Sequence, residues 1–168
     1  MVKRGQGGAA EQRAGPARRG AEEVGRVRIV FEEGILGFED VREYELVESG
    51  DPGPFRWLRA TSGNLAFIVV DPLLFWPDYA PDLNAMSPGL GMEGRGDVLL
   101  YVIVTVPDDP LLATANLFAP LVVNARTGQG RQVPLRGSGF PLAAQVFPED
   151  VREGKVGLAG ACPDTQKR

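Results

Sequence analysis

The stretch Ala66-Phe67-Ile68-Val69-Val70-Asp71-Pro72 decides the fold class. Five apolar residues, four of them β-branched or aromatic, run together and stop at Asp-Pro. A run this short, with that composition and a turn dipeptide behind it, reads as a strand buried on both faces rather than a helix. Phe75-Trp76-Pro77-Asp78-Tyr79 follows, crowding aromatics into a loop that must either bury them or present them to something.

Outward from this strand the chain keeps a period of two. Val27, Ile29 and Phe31 alternate with Arg26, Arg28 and Val30, which predicts a first strand. The two glycines of Gly34-Ile35-Leu36-Gly37-Phe38-Glu39 break it, and the apolar pair between them is expected to fold back onto the core. Tyr44, Leu46 and Val47 suggest a short second strand, ended by the turn formers of 49–54. Phe55 to Ala60 alternates again, with Phe55 and Trp57 on one side, and Thr61-Ser62-Gly63-Asn64 turns it into the opening strand as an antiparallel hairpin. Leu83, Met86 and Leu90, three and four apart, predict a helical turn or two around 82–90, kept short by Pro88 and Gly89. Asp97 to Val106 is the longest apolar run and reads as a buried strand. Ala115 to Ala125 reads as one strand whose Pro120, having no N–H, marks an edge, a start or a bulge. Thr127 to Gly130 closes a hairpin to Arg131–Leu135, and a last short strand is expected near Gln145 to Phe147.

About seven short strands without strand–helix repeats predict an all-β, mostly antiparallel domain, a small barrel or sandwich with one or two short helical turns. We place it at 26–147. Residues 1–25 hold glycines and arginines but no aromatics, a composition that cannot offset its ordering entropy, and are read as a disordered arm. Residues 148–168 are read as a flexible tail.

Charge divides along these boundaries. Residues 1–26 carry six basic and three acidic side chains, whereas 27–147 carry eight basic and fifteen acidic ones. The acidic domain disfavours direct nucleic-acid contact and favours a basic or mixed protein partner. The sequence has neither an apolar stretch long enough to span a membrane nor an apolar region behind the N-terminal basic residues, and a cytoplasmic protein is expected. A single cysteine, Cys162, fits a reducing compartment.

With no histidine and one cysteine, the chain lacks the commonest general base and the ligands of a tetrahedral zinc site, and no cofactor is expected. Asp71, Asp78 and Asp82 could flank a substrate, but each also reads plainly as a turn initiator, a loop residue and a helix N-cap. A carboxylate enzyme in a barrel mouth and a direct RNA binder relying on the basic arm remain alternatives.

Taken together, GILGFE (34–39), FRWL (55–58), AFIVVDP (66–72), PDYAPDL (77–83), VIVTVP (102–107), ANLFAPLVVN (115–124) and GRQVPL (130–135) resemble the FliW family of flagellar assembly factors, in its order and at similar spacing over roughly 26–142. Phe118 stands where the family's segment usually carries lysine. The resemblance implies a non-catalytic cytoplasmic protein, monomeric when free. Its implied partners are flagellin and the RNA-binding regulator CsrA, whose repression of flagellin translation it relieves. Matched polar or aromatic positions beside predicted turns make Glu39, Asp71, Phe75, Asp78, Tyr79, Asn116 and Phe118 the candidate contact residues.

Overall fold

In a computed structural model of the chain, residues 26–48 and 53–155 are described. The expected arm 1–25, most of the turn cluster at 49–54 and residues 156–168 lie outside the described residues. Among the described residues, nine strands run in the order β1 (Val27–Phe31), β2 (Glu43–Glu48), β3 (Phe55–Ala60), β4 (Ala66–Val70), β5 (Val98–Thr105), β6 (Thr114–Ala115), β7 (Leu121–Asn124), β8 (Gln129–Gln132) and β9 (Ala144–Gln145), with one-turn helices α1 (Leu83–Met86) and α2 (Glu149–Arg152). Neighbours follow β4-β3-β2-β1-β8-β7-β5, and β5 pairs back to β4, so seven strands close a barrel. Between the two architectures left open by the sequence, the barrel is the one formed. Every pairing is antiparallel except β1 with β8, a parallel seam joining Val30 to Gln129 and Phe31 to Gly130.

The run at 66–70 behaves as read. Val69 and Val70 are both fully buried, on opposite faces. Val69 enters the barrel interior with Ile29, Phe31, Tyr44, Leu46, Leu58, Tyr101, Leu121 and Val123. Val70 enters an outer layer with Tyr79, Val102, Val104, Ala113, Ala115, Leu117 and Val146. Alternation in β5 splits the same way, Tyr101 inward and Val102 and Val104 outward. A strand covered on both sides has no polar face to show, hence the unbroken apolar run. At about 1.5–3 kcal/mol per fully buried aliphatic or aromatic side chain, both layers contribute on the scale that folding requires.

The β3–β4 hairpin forms as expected, with Phe55 opposite Val70 and Trp57 opposite Ile68. The helical turn near 82–90 is α1, capped by Asp82, whose carboxylate accepts from the amides of Asn84 at 3.0 Å and Ala85 at 3.3 Å. Met86 and Leu90 from this segment pack on Val122 of β7. Of the apolar pair in the 34–37 turn only Ile35 folds onto the core, while Leu36 is 56% exposed.

Two further expectations need correction. The single strand read over 115–125 is two, β6 and β7, laid end to end along β5 with Val104 opposite Ala115 and Tyr101 opposite Leu121. Between them residues 116–120 leave the ladder, and Pro120 stands immediately before β7, where its missing N–H removes no ladder bond. The boundary drawn at 147 also falls inside packed structure. Pro148 leads into α2, whose Val151 is buried and which packs on the 3-10 turn Pro110–Leu112.

Candidate partner-binding surface

The loop behind β4 is shaped by its first carboxylate. Asp71 caps a 3-10 turn over Pro72–Leu74, its side chain accepting from the Leu73 amide at 2.9 Å, so its local duty is the turn initiation read from Asp-Pro. The turn lays Phe75 and Trp76 over the outer layer, where both are half-buried. Phe75 touches Phe55 of β3 and Trp76, each at 5.7 Å between ring centroids. Asp78 is exposed.

Tyr79 is placed differently. It is 4% exposed, stands edge-on to Phe140 at 4.7 Å, and donates its hydroxyl to the Leu117 carbonyl at 2.9 Å. Burial raises its pKa well above the usual tyrosine range. A side chain so enclosed is a packing anchor and offers a partner no contact area in this conformation. Its hydroxyl does join the 71–79 segment to the 116–120 excursion. There the half-buried Asn116 accepts from the Ala119 amide at 3.0 Å, an asparagine turn that takes the chain out of the ladder. Phe118 is half-buried, its backbone held by bonds to Pro141 and Leu135.

Glu39 lies apart, in the exposed turn after β1. Its carboxylate accepts from the Gly37 amide at 2.8 Å, and that bond, ahead of a second to its own amide, holds its pKa below the ordinary glutamate range. Gln132 connects this turn to the excursion, accepting from the Leu36 amide at 2.8 Å and donating to the Ala119 carbonyl at 3.2 Å. Thus Phe75, Tyr79, Asn116 and Phe118 belong to one connected region, Glu39 is linked to it through a side chain, and Asp71 serves the backbone.

Residues not chosen from the sequence form an open apolar feature of this face. Beside Phe75, the outer side of β3, β4 and β5 carries a groove of about 240 Å³ lined by Phe55, Trp57, Ile68, Val104, Val106, Pro110, Ala113 and Phe147, with Arg56 at its margin. Val106 is 44% exposed. The Arg59 guanidinium sits 5.8 Å from the Trp57 ring centre, and Arg56 lies 4.0 Å from the Glu48 carboxylate. The signal was present in part, since Phe55 and Trp57 alternate onto one side of β3. Which side stays open depends on how far the chain beyond β5 covers it, and no local pattern carries that. None of Asp71, Asp78 and Asp82 lines this groove.

A family model described as FliW protein matches residues 10–146. The chain belongs to the FliW family. The match opens inside the segment read as a disordered arm, so family resemblance extends further toward the N-terminus than 26–142. A flagellar assembly factor FliW of Syntrophus aciditrophicus is 41% identical over 121 residues, 71% of this chain and 77% of that protein. One of Leptospira biflexa is 40% identical over 131 residues, 75% of this chain and 86% of that protein. A crystal structure of the flagellar assembly factor FliW superposes with a TM-score of 0.68 at 35% identity, over 74% of this chain and 88% of that one. The all-β barrel is therefore the fold of a solved FliW.

Proposed function

We propose that this chain is a non-catalytic flagellar assembly factor that works by binding proteins in the cytoplasm. It binds flagellin before export and, when flagellin is scarce, binds CsrA and relieves its repression of flagellin synthesis. The observation that carries the reading is membership of the FliW family over 10–146. The surface is consistent with it, because a half-open groove walled by Phe55, Trp57 and Phe147 offers the large, stiff anchors that dominate protein interfaces. The acidic domain supports encounter with a basic regulator. Two carboxylates that an enzyme would need, Asp71 and Asp82, are engaged as backbone caps.

Mutually exclusive binding suffices to make such a protein a sensor of flagellin. Where CsrA is antagonised at a distance from its RNA site, the coupling is on the order of 1–3 kcal/mol, about 5-fold to 150-fold in RNA affinity. Immobilised full-length protein is expected to retain flagellin and CsrA in separate experiments, each displacing the other. Failure to retain either, with the protein shown folded by its thermal transition, refutes the reading.

A further inference from the structure

The groove on β3, β4 and β5 continues past Trp57. Beyond that ring, about 360 Å³ of open space lies against the β3–β4 hairpin, bordered by Arg59, Gly63, Asn64 and Ala66 as well as by Trp57 itself. The two halves differ in chemistry. The first has one cross-strand rung as its floor, Trp57 opposite Ile68 and Ile68 opposite Val104, and Arg56 is the one charged residue along it. In the second, the next rung of the same face pairs Arg59 with the exposed Ala66, whose short side chain leaves the space over β4 open. We propose that this trough docks a segment of a partner protein that carries a carboxylate beside its apolar side chains. The apolar side chains rest on Trp57, Ile68 and Val104, and the carboxylate meets Arg59.

The charge of the trough selects this occupant. Arg59 is exposed, its guanidinium is held 5.8 Å from the Trp57 ring centre, and Glu45, opposite it on β2, closes no ion pair with it. Among the described residues no carboxylate comes within ion-pair reach of Arg59. Arg56, at the margin of the apolar half, has the exposed Glu48 carboxylate 4.0 Å away, a loose pair. The β3 side of the trough thus presents two guanidiniums, whereas Asp108 and Asp109, exposed shortly after Val106, make the β5 side acidic. An occupant is therefore oriented, with its carboxylate toward β3. Net charge alone predicts the opposite preference, because residues 27–147 carry fifteen acidic and eight basic side chains and attract bases. Trp57 and Arg59 stand two positions apart on one face of β3, about 7 Å, so the matching apolar and acidic groups are neighbours on one face of the docking segment. Tryptophan and arginine are also the side chains enriched among those that carry binding energy at interfaces. The proposal deepens the protein-binding reading given above and rests on it.

Three blocked peptides test it: one of leucine, phenylalanine and alanine with a single glutamate two positions after the phenylalanine, and the same peptide with glutamine or lysine in that place. Each is titrated into full-length, ¹⁵N-enriched protein. The glutamate peptide is expected to shift the Trp57 indole and the amides of Ile68, Val104 and Val106, while Gly128, in the β7–β8 turn across the barrel, stays in place. It is expected to bind about fivefold more tightly than the lysine peptide, the scale of one exposed ion pair. Arg59→Glu, at an exposed position, is expected to reverse that order, and Trp57→Ala, shown folded by its thermal transition, to weaken all three peptides. A lysine peptide that binds as well as the glutamate peptide, an order unchanged by Arg59→Glu, shifts centred away from Trp57 or no saturable shift at all overturns the proposal. Groove signals that move when the protein alone is diluted assign the trough to a second copy of the chain and overturn it as well. None of these readouts involves flagellin or CsrA, so failure here is distinct from failure of the functional reading.

Discussion

Tyr79→Ala should unfold this protein more readily before it affects any partner. The ring is 4% exposed, packs edge-on to Phe140 and sits in the outer layer with Val70, Val102 and Leu117. Truncating a buried aromatic to alanine costs about 3–5 kcal/mol through lost transfer energy and the cavity left behind. For a chain of this length each kcal/mol moves the melting temperature by about 2–4 °C, so a fall of roughly 6–20 °C is expected. Tyr79→Phe isolates the hydroxyl. It keeps the ring and leaves the Leu117 carbonyl without the donor it has at 2.9 Å, a cost of about 1–3 kcal/mol for an unsatisfied buried acceptor. Urea titration of wild type and both variants, followed by far-UV circular dichroism, measures these quantities, with unchanged slopes indicating that the unfolded states are comparable. If Tyr79→Ala unfolds within about 0.5 kcal/mol of wild type, the range of an ordinary surface substitution, the assignment of Tyr79 to packing is refuted and its candidacy as a contact returns.

Gly128→Ala should be severely destabilising, because φ is +75° and a Cβ would lie 2.3 Å from the Arg28 carbonyl oxygen, whereas Gly63→Ala, at φ +77° with open space around it, should cost only about 1–2 kcal/mol; equal thermal shifts would contradict the steric argument. Tyr44→Phe should be neutral or stabilise by about 1 kcal/mol in urea titration, since the Tyr44 hydroxyl is buried in the barrel without a hydrogen-bond partner among the described residues; a loss of stability would show that it has one. Burial raises the pKa of Tyr44, Tyr79 and Tyr101 in the folded protein, so the unfolded chain, with tyrosines near the ordinary value of about 10, releases protons first. Stability from these groups is therefore complete below pH of about 10 and falls above it, and Tyr79→Phe should flatten the decline in melts at rising pH. Val106→Asp, on the open side of the groove, should leave stability within about 0.5 kcal/mol and weaken flagellin or CsrA binding at least tenfold, about 1.4 kcal/mol, by calorimetry.

The legible part of the fold is the part written in local alternation. Strands β1 to β5, the hairpin at 61–65 and the turn around α1 follow from periods of two and from Gly, Pro and Asp at their ends, because burial on one face or both leaves its mark residue by residue. The parallel seam of β1 and β8 is not written this way. It joins residues a hundred positions apart through two pairs, and its one local trace is Gly130, where a Cβ would approach the Phe31 ring within 2.8 Å. The break between β6 and β7 was half visible in Pro120, but that the chain leaves and rejoins the same strand depends on the Asn116 side chain and on bonds to Pro141 and Leu135 far along the sequence. For the site, Asp71, Asp78 and Asp82 took the places their plain readings assigned. Tyr79 shows the limit of reading a loop by its aromatics, since sequence cannot say which ring of a cluster turns inward. The open groove was illegible for a related reason: exposure is decided by what the rest of the chain does not cover.

The seam has a bearing on how the chain is made. Strand β1 lies near the start, and its second edge is closed only by Gln129 and Gly130. At about 5–20 residues per second, ribosomal synthesis leaves that edge without its mate for roughly 5–20 seconds, during which β2, β3 and β4 can already pair in sequence. For that interval the nascent barrel is an open curved sheet with its interior accessible, and whatever guards Ile29 and Phe31 in the cell must do so before the last strand arrives to shut it.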